Sequence, residues 1–288
     1  MEEESRALAG SAVATERPCL AIEQRTSHAG ACAPRRGGRQ GVMELSTLAR
    51  RFARPVIDFA LPPRCAGCGL IVDEVGSFCT ECWTKIEFLG AGGCERCGIP
   101  LEATDAEVCA ACLAQPPAVD RIRAAVVYGE IARSLALKLK YGRKTALAAT
   151  MARFMAVHLG EYPADSIMVP VPLHRRRLWG RGFNQAVLIA RALGRRHGLR
   201  VECRTLLRTR ATPPLKAMSM AQRRKAVSGA FAVAPGCPVT GRTIILVDDV
   251  LTTGSTANAC ARVLKRAGAE RVELISWARV VRPAHLVR

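Results

Sequence analysis

The residues best able to do chemistry stand in one run: Asp248, Asp249, Val250, Leu251, Thr252, Thr253, Gly254, Ser255 and Thr256. Two adjacent carboxylates accept hydrogen bonds and suit the vicinal hydroxyls of a sugar, whereas they would repel a phosphate. Thr252, Thr253, Ser255 and Thr256 bring hydroxyl donors, and Gly254 lets the backbone turn with no Cβ in the way. If this run opens a helix, the N–H groups of the first turn lack partners and converge on an anion. Sugar hydroxyls and a terminal phosphate together describe a ribose 5-phosphate. The plain alternative is that Asp, Ser and Thr only cap a helix after a strand. Two acids followed by five residues that are each hydroxyl-bearing or glycine exceed what a cap needs.

Eight of the 13 cysteines form four C-x-x-C pairs: Cys65 and Cys68, Cys79 and Cys82, Cys94 and Cys97, Cys109 and Cys112. Each consecutive two pairs supply four thiolates, enough to close a tetrahedron around Zn²⁺, with Gly69 and Gly98 easing the turns. Two structural zinc ions in tandem ribbons are the simplest pairing. An iron–sulfur cluster or redox pairs stay open, although the spacing is that of paired knuckles rather than a ferredoxin run. Cys260 falls on the apolar face of a helical pattern, Cys19 and Cys32 belong to the N-terminal tail, and Cys203 and Cys237 have no clear activating partner.

The net charge of +19 is concentrated: 121–240 holds 23 Lys and Arg against four acids. Such a segment suits a polyanion, either a phosphorylated small molecule or a nucleic acid. With 5% aromatic residues, stacking platforms for single strands are scarce. No recognition helix or dimeric DNA-reading motif is evident, which disfavours a transcription regulator. No apolar stretch approaches the roughly 18 residues of a spanning helix, and the acidic start Met1-Glu2-Glu3-Glu4 is unlike a secretory signal, so a cytoplasmic location is expected.

The elements that must position these residues follow from periodicity. Residues 1–42 are rich in Ala, Gly, Arg and Ser without sustained pattern and read as a disordered extension. Residues 43–60 begin as a helix, and Met43 is a candidate start of translation. The cysteine pairs define a module over 61–117, and Gln115-Pro116-Pro117 marks a boundary before a domain over 118–288. There, strands are expected over 122–128, 167–171, 204–207, 229–234, 243–247 and 272–278, and helices over 131–139, 147–159, 184–197 and 255–267. Alternation of this kind implies an α/β fold with a mainly parallel, doubly wound sheet. The strand over 243–247 would deliver the two acids at its C-terminal end, where such sheets place ligands.

The run over 244–256 resembles the signature by which type I phosphoribosyltransferases bind phosphoribosyl pyrophosphate (PRPP). Over 61–279 the chain resembles the ComF competence family: cysteine pairs, then Val169-Pro170-Val171-Pro172-Leu173, then Arg181-Gly182-Phe183-Asn184-Gln185, then the Asp-Asp signature. The resemblance implies that Asp248 and Asp249 hold the ribose hydroxyls, that Thr252, Thr253, Gly254, Ser255 and Thr256 hold the 5-phosphate, and that Pro170, Val171, Pro172 and Leu173 form the pyrophosphate turn. Lys140, Arg175 and Arg181 are further pyrophosphate candidates, because a multiply charged anion needs several cations. Arg208, Arg210 and Arg223 fall in the region of the family's flexible hood, expected to be irregular around Pro213-Pro214. Leu215 and Ala226 stand where the family pattern has Gln and Asn, which puts full catalytic competence in question. The implied reaction is displacement of pyrophosphate by a nitrogen nucleophile, with Mg²⁺ accompanying PRPP, in a protein of natural competence and DNA uptake. The other implied reading is a non-catalytic PRPP sensor or a single-stranded-DNA-binding accessory of DNA import, partnered by a competence helicase or the import machinery.

Overall fold

The computed structural model describes residues 62–90, 92–101, 106–212 and 218–281; the expected extension over 1–42 and helix over 43–60 lie outside the described residues. In chain order the strands are β1 (Arg121–Val127), β2 (Ile167–Pro170), β3 (Arg200–Val201), β4 (Leu206–Arg208), β5 (Phe231–Val233), β6 (Thr243–Leu251) and β7 (Arg271–Arg279). The helices are α1 (Thr80–Thr84), α2 (Ala110–Ala114), α3 (Glu130–Tyr141), α4 (Leu147–Met155), α5 (Arg175–Arg181), α6 (Gln185–His197), α7 (Met220–Val227) and α8 (Ser255–Arg266). Five strands form an all-parallel sheet in the order β1-β7-β6-β2-β3, and β4 with β5 makes a separate antiparallel hairpin.

The strand period of two divides β6 between two cores. Ile245 and Val247 pack with Leu135 of α3, Met151 of α4, Leu193 of α6 and Trp277 of β7. Ile244 and Leu246 pack on the other face with Leu264 of α8, Phe231 of the hairpin and Val227 of α7. Helices therefore cover both faces, as a parallel sheet requires. Each fully enclosed Leu, Ile or Met of these layers contributes about 1.5–3 kcal/mol relative to exposure.

Three features depart from expectation. First, β6 continues past Val247 to Leu251, with Asp248 in register with Ser276 of β7. On the opposite side β2 pairs only as far as Val247, so beyond that point one edge of β6 is open. Second, α5 was not legible as a helix: it buries no residue and has no apolar stripe. It forms because the His174 ring accepts from the Arg176 N–H at its start and Gly182, at φ +80°, closes its end. Third, the hood contains a regular helix, α7, opened by a capping box in which Ser219 and Gln222 satisfy each other's backbone N–H groups. Pro213, Pro214 and Leu215 lie outside the described residues.

The cysteine segments are joined to the sheet by backbone. The Leu89 N–H donates to Ala125 O at 3.0 Å and the Val127 N–H to Glu87 O at 2.8 Å, placing 87–89 along β1. Cys65, Ala66, Cys82 and Ile86 belong to the same apolar layer as Ile131 and Trp277. The second cysteine group, with Ile99, keeps a small core of its own and hangs on β1 through the Ile122 N–H, which donates to Arg96 O at 2.8 Å. Gly98, at φ +69°, lies so close to β1 that a Cβ there would come within 2.6 Å of Ile122 O.

Candidate functional site

The open edge of β6 is where the two acids stand, and the pleat sends them to opposite faces. Asp248 shares the face of α8 and the hood and is partly exposed; Asp249 shares the face of α3 and α6 and is 3% exposed. Burial, reinforced by the like charge of Asp249, raises the Asp248 carboxyl to about 7, although its Oδ1 accepts the Asp249 N–H at 2.9 Å. Asp249 is buried on the face of the first core with two polar partners. Gln185 Nε2 donates to its Oδ1 at 3.2 Å, and Lys140 Nζ lies 2.5 Å from Oδ2, off the direction of an ideal hydrogen bond. Of the two acids expected to hold ribose hydroxyls, one is thus partly exposed and the other is buried beside a cation.

Residues of the Arg181-to-Gln185 motif explain themselves in this setting. Arg181 donates to Gln185 Oε1 at 3.0 Å and to the Tyr141 hydroxyl at 3.3 Å, with its guanidinium 5.1 Å from the Tyr141 ring centroid. Asn184 caps α6 through its Oδ1 and donates from Nδ2 to Val171 O at 3.0 Å. It therefore holds the turn of Pro170, Val171, Pro172 and Leu173, and the Val171 N–H in turn reaches Val247 O at 2.9 Å. Asn184 and Gln185 are positioning residues that site reasoning from sequence passed over, though the motif containing them was visible. Arg175 is exposed at the start of α5.

After β6 the chain turns through Thr252 and Thr253 to Gly254, whose φ of +71° makes it the left-handed residue before α8. The hydroxyls of Thr253 and Ser255 are 2.9 Å apart, and Ser255 begins the helix. This nest joins free first-turn N–H groups, the positive end of a twelve-residue helix and four hydroxyls. From the hood, Arg223 donates to Thr252 Oγ1 at 3.1 Å, bringing a cation to its rim. The other two hood candidates do different work. Arg210 donates to Ala226 O at 3.2 Å and Ser228 O at 2.8 Å, closing the end of α7. Arg208 packs on the Phe231 ring at 5.3 Å and bonds the Thr212 hydroxyl; burial and Arg177 lower its basicity.

The eight predicted cysteine ligands gather as two groups, Cys65, Cys68, Cys79 and Cys82, and Cys94, Cys97, Cys109 and Cys112, with the sulfurs of each within 4.8 Å of one another. Burial opposes ionisation of Cys65, but the N–H groups of Cys68, Cys79 and Gly67 outweigh it and bring the thiol down to about 6. The same balance, with N–H groups of Cys109, Cys97 and Arg96, brings Cys94 to about 6. Burial and the neighbouring thiols push Cys82 and Cys112 up. Four such thiols ionise together only around an added cation, and both groups fit a tetrahedral divalent metal.

Residues 56–113 match the family described as double zinc ribbon domain, and residues 190–283 match the phosphoribosyl transferase domain family. The chain is 34% identical over 189 residues to DNA utilization protein YhgH of Escherichia coli (strain K12), covering 63% of this chain and 81% of that protein. It is 29% identical over 224 residues to competence protein F of Haemophilus influenzae, covering 75% and 96%. Among solved structures, a glutamine PRPP amidotransferase from B. subtilis overlaps 44% of this chain and 25% of its own, at 20% identity and a TM-score of 0.31. Adenine phosphoribosyltransferase from Leishmania tarentolae overlaps 51% and 75%, at 13% identity and a TM-score of 0.30. Those overlaps are too slight to carry an argument; the sequence relatives and the two domain matches are not, and they make this chain a member of the ComF family, a double zinc ribbon followed by a phosphoribosyltransferase domain.

Proposed function

We propose that the chain binds PRPP and acts as a phosphoribosyltransferase in the handling of imported DNA. The observation that carries this reading is the nest of Thr252, Thr253, Gly254, Ser255 and Thr256 at the mouth of α8, directly after an acid on an open strand edge. The nest takes the 5-phosphate through backbone N–H groups and hydroxyls. Asp248 accepts from a ribose hydroxyl. Asp249 joins it only when Lys140 leaves its carboxylate, which frees the Lys140 ammonium for the anion. Mg²⁺ would supply neutralisation of the pyrophosphate when bound, and Asp248, the partly exposed acid of the two, is the carboxylate that could face it. The residues otherwise position the reactants and stabilise the leaving charge.

Calorimetric titration with PRPP and Mg²⁺ tests the reading. The double variant Asp248→Asn, Asp249→Asn is expected to bind at least tenfold more weakly while remaining folded, and unchanged affinity would remove the site. Pyrophosphate release against a panel of amines and bases then distinguishes turnover from binding alone.

A second reading, contact with single-stranded DNA, is favoured by α5. Trp179 is 92% exposed there, among Arg175, Arg176 and Arg181, and aromatic and guanidinium groups together suit unpaired bases and their phosphates. Trp179→Ala is expected to weaken binding of an oligonucleotide several-fold, and affinity should fall steeply with salt. Salt-independent binding, or none, would remove this reading.

A further inference from the structure

The two cysteine groups offer the same donors at nearly the same spacing, but not the same access. Cys94, Cys97, Cys109 and Cys112 are 0%, 6%, 7% and 7% exposed and close a small core with Ile99. In the first group Cys65 and Cys82 are buried, Cys79 is half-buried and Cys68 is exposed. Proximity does not separate the groups: Cys68 Sγ lies 3.6 Å from Cys79 Sγ, and Cys97 Sγ lies 3.7 Å from Cys109 Sγ. Either pair needs only a small approach to reach the S–S bond length of about 2.05 Å. What differs is whether a reagent in solvent can arrive, and of these eight cysteines only Cys68 is exposed.

A cysteine is oxidised according to its thiolate character and its exposure. Thiols that hold a divalent metal bind it as thiolates, so Cys68 combines an anionic sulfur with an open approach. Lys138 of α3 stands beside the same knuckle, its ammonium donating to Ala66 O at 3.4 Å and to Gly67 O. The knuckle has little room to absorb a change, since a Cβ at Gly67 would come within 2.7 Å of Cys82 Sγ and 3.4 Å of Ile131.

We infer that Cys68 is a modification site for hydrogen peroxide, and that its oxidation opens the first zinc ribbon while the second stays closed. In the first step the Cys68 sulfur attacks one peroxide oxygen: an S–O bond forms, the O–O bond breaks, and the leaving hydroxide takes a proton from solvent. Cys68 has then lost two electrons and is a sulfenic acid. The Cys79 thiolate attacks that sulfur, so an S–S bond forms, the S–O bond breaks, and a second hydroxide leaves and is protonated. Two thiolates, one peroxide and two protons thus become one disulfide and two waters. Cys65 and Cys82 alone cannot close a tetrahedron, and the metal is lost. Because Cys65, Ala66 and Cys82 share the apolar layer of Leu135 and Leu139, α3 loosens, and α3 is the helix that carries Lys140 to Asp249.

The test is treatment of the full-length, zinc-loaded chain with hydrogen peroxide, following released zinc with a chromogenic chelator and locating disulfides by mass spectrometry of alkylated peptides. One zinc ion is expected to leave at least tenfold faster than the other, with Cys68 joined to Cys79, and a thiol reductant with added zinc to reverse both changes. Hydrogen exchange in 130–141 is expected to quicken in step with that release. Cys68→His keeps four ligands while removing the exposed thiol, and should slow release of the first ion at least tenfold. If that variant fails to hold its metal, the order of release and the position of the disulfide in the parent chain decide the matter. The assignment is overturned if both ions leave together, if the first disulfide joins Cys97 to Cys109, or if metal-loaded Cys68→His releases zinc as fast as the parent. Unchanged exchange in 130–141 after release would overturn the link to α3.

Discussion

At the scale of residues, the adjacent acids show what a motif conceals. Their place at the end of a strand could be read from sequence, but their facing could not, because it depends on β6 extending past Val247 while β2 stops there. Lys140 and Gln185 reach Asp249 from α3 and α6, contacts that only the tertiary fold creates. The elevated carboxyl of Asp248 has a consequence for stability. Its folded pKa of about 7 lies above the unfolded value near 3.8, so the folded chain holds a proton that the unfolded chain has lost between those two pH values. Stability contributed by this group is therefore full below pH 3.8 and declines as pH rises towards 7. Asp248→Asn removes the penalty while keeping an acceptor for the Asp249 N–H. Thermal unfolding is expected to show the variant several degrees more stable than the parent at pH 8 and no more stable near pH 4. An equal gain at both pH values would assign the effect to packing.

At the scale of elements, long apolar-patterned segments were legible and short polar ones were not. The strands expected over 122–128, 167–171 and 272–278 and the helices over 184–197 and 255–267 lie within a residue or two of β1, β2, β7, α6 and α8. Helices α5 and α7 carry Arg-rich sequences with no apolar stripe, so periodicity had nothing to report; their caps hold them. In α7 the Ser219 and Gln222 pattern was present in the sequence as a capping box and is the signal that would have found the helix. Ser219→Ala should cost about 1 kcal/mol of local stability. Because α7 carries Arg223 to Thr252, hydrogen exchange is expected to quicken in 220–227 and PRPP affinity to fall a few-fold, with the global melting temperature little changed. Unaltered exchange in that segment would show that tertiary contacts alone hold the helix.

At the scale of the whole molecule, the four cysteine pairs could be grouped from spacing, yet nothing in the spacing showed that the first group shares the apolar layer of Trp277. About two zinc ions per chain are expected by elemental analysis, and stripping them with a chelator should lower the cooperative melting of the entire chain and alter the near-ultraviolet signal of Trp277, whose indole donates to Ala132 O at 3.2 Å. Mostly iron, or an unchanged melt, would contradict this. The segment at 87–89 carries a further consequence. A parallel sheet ends in two strands whose outer amides invite any extended chain that passes. Here β3 is only two residues long, and β1 is occupied along its outer side by the Glu87 and Leu89 backbone. The ribbons are therefore also a guard against self-association: a chain deprived of them would offer β1 as a template for aggregation, and is expected to form more large species in sedimentation than the intact protein.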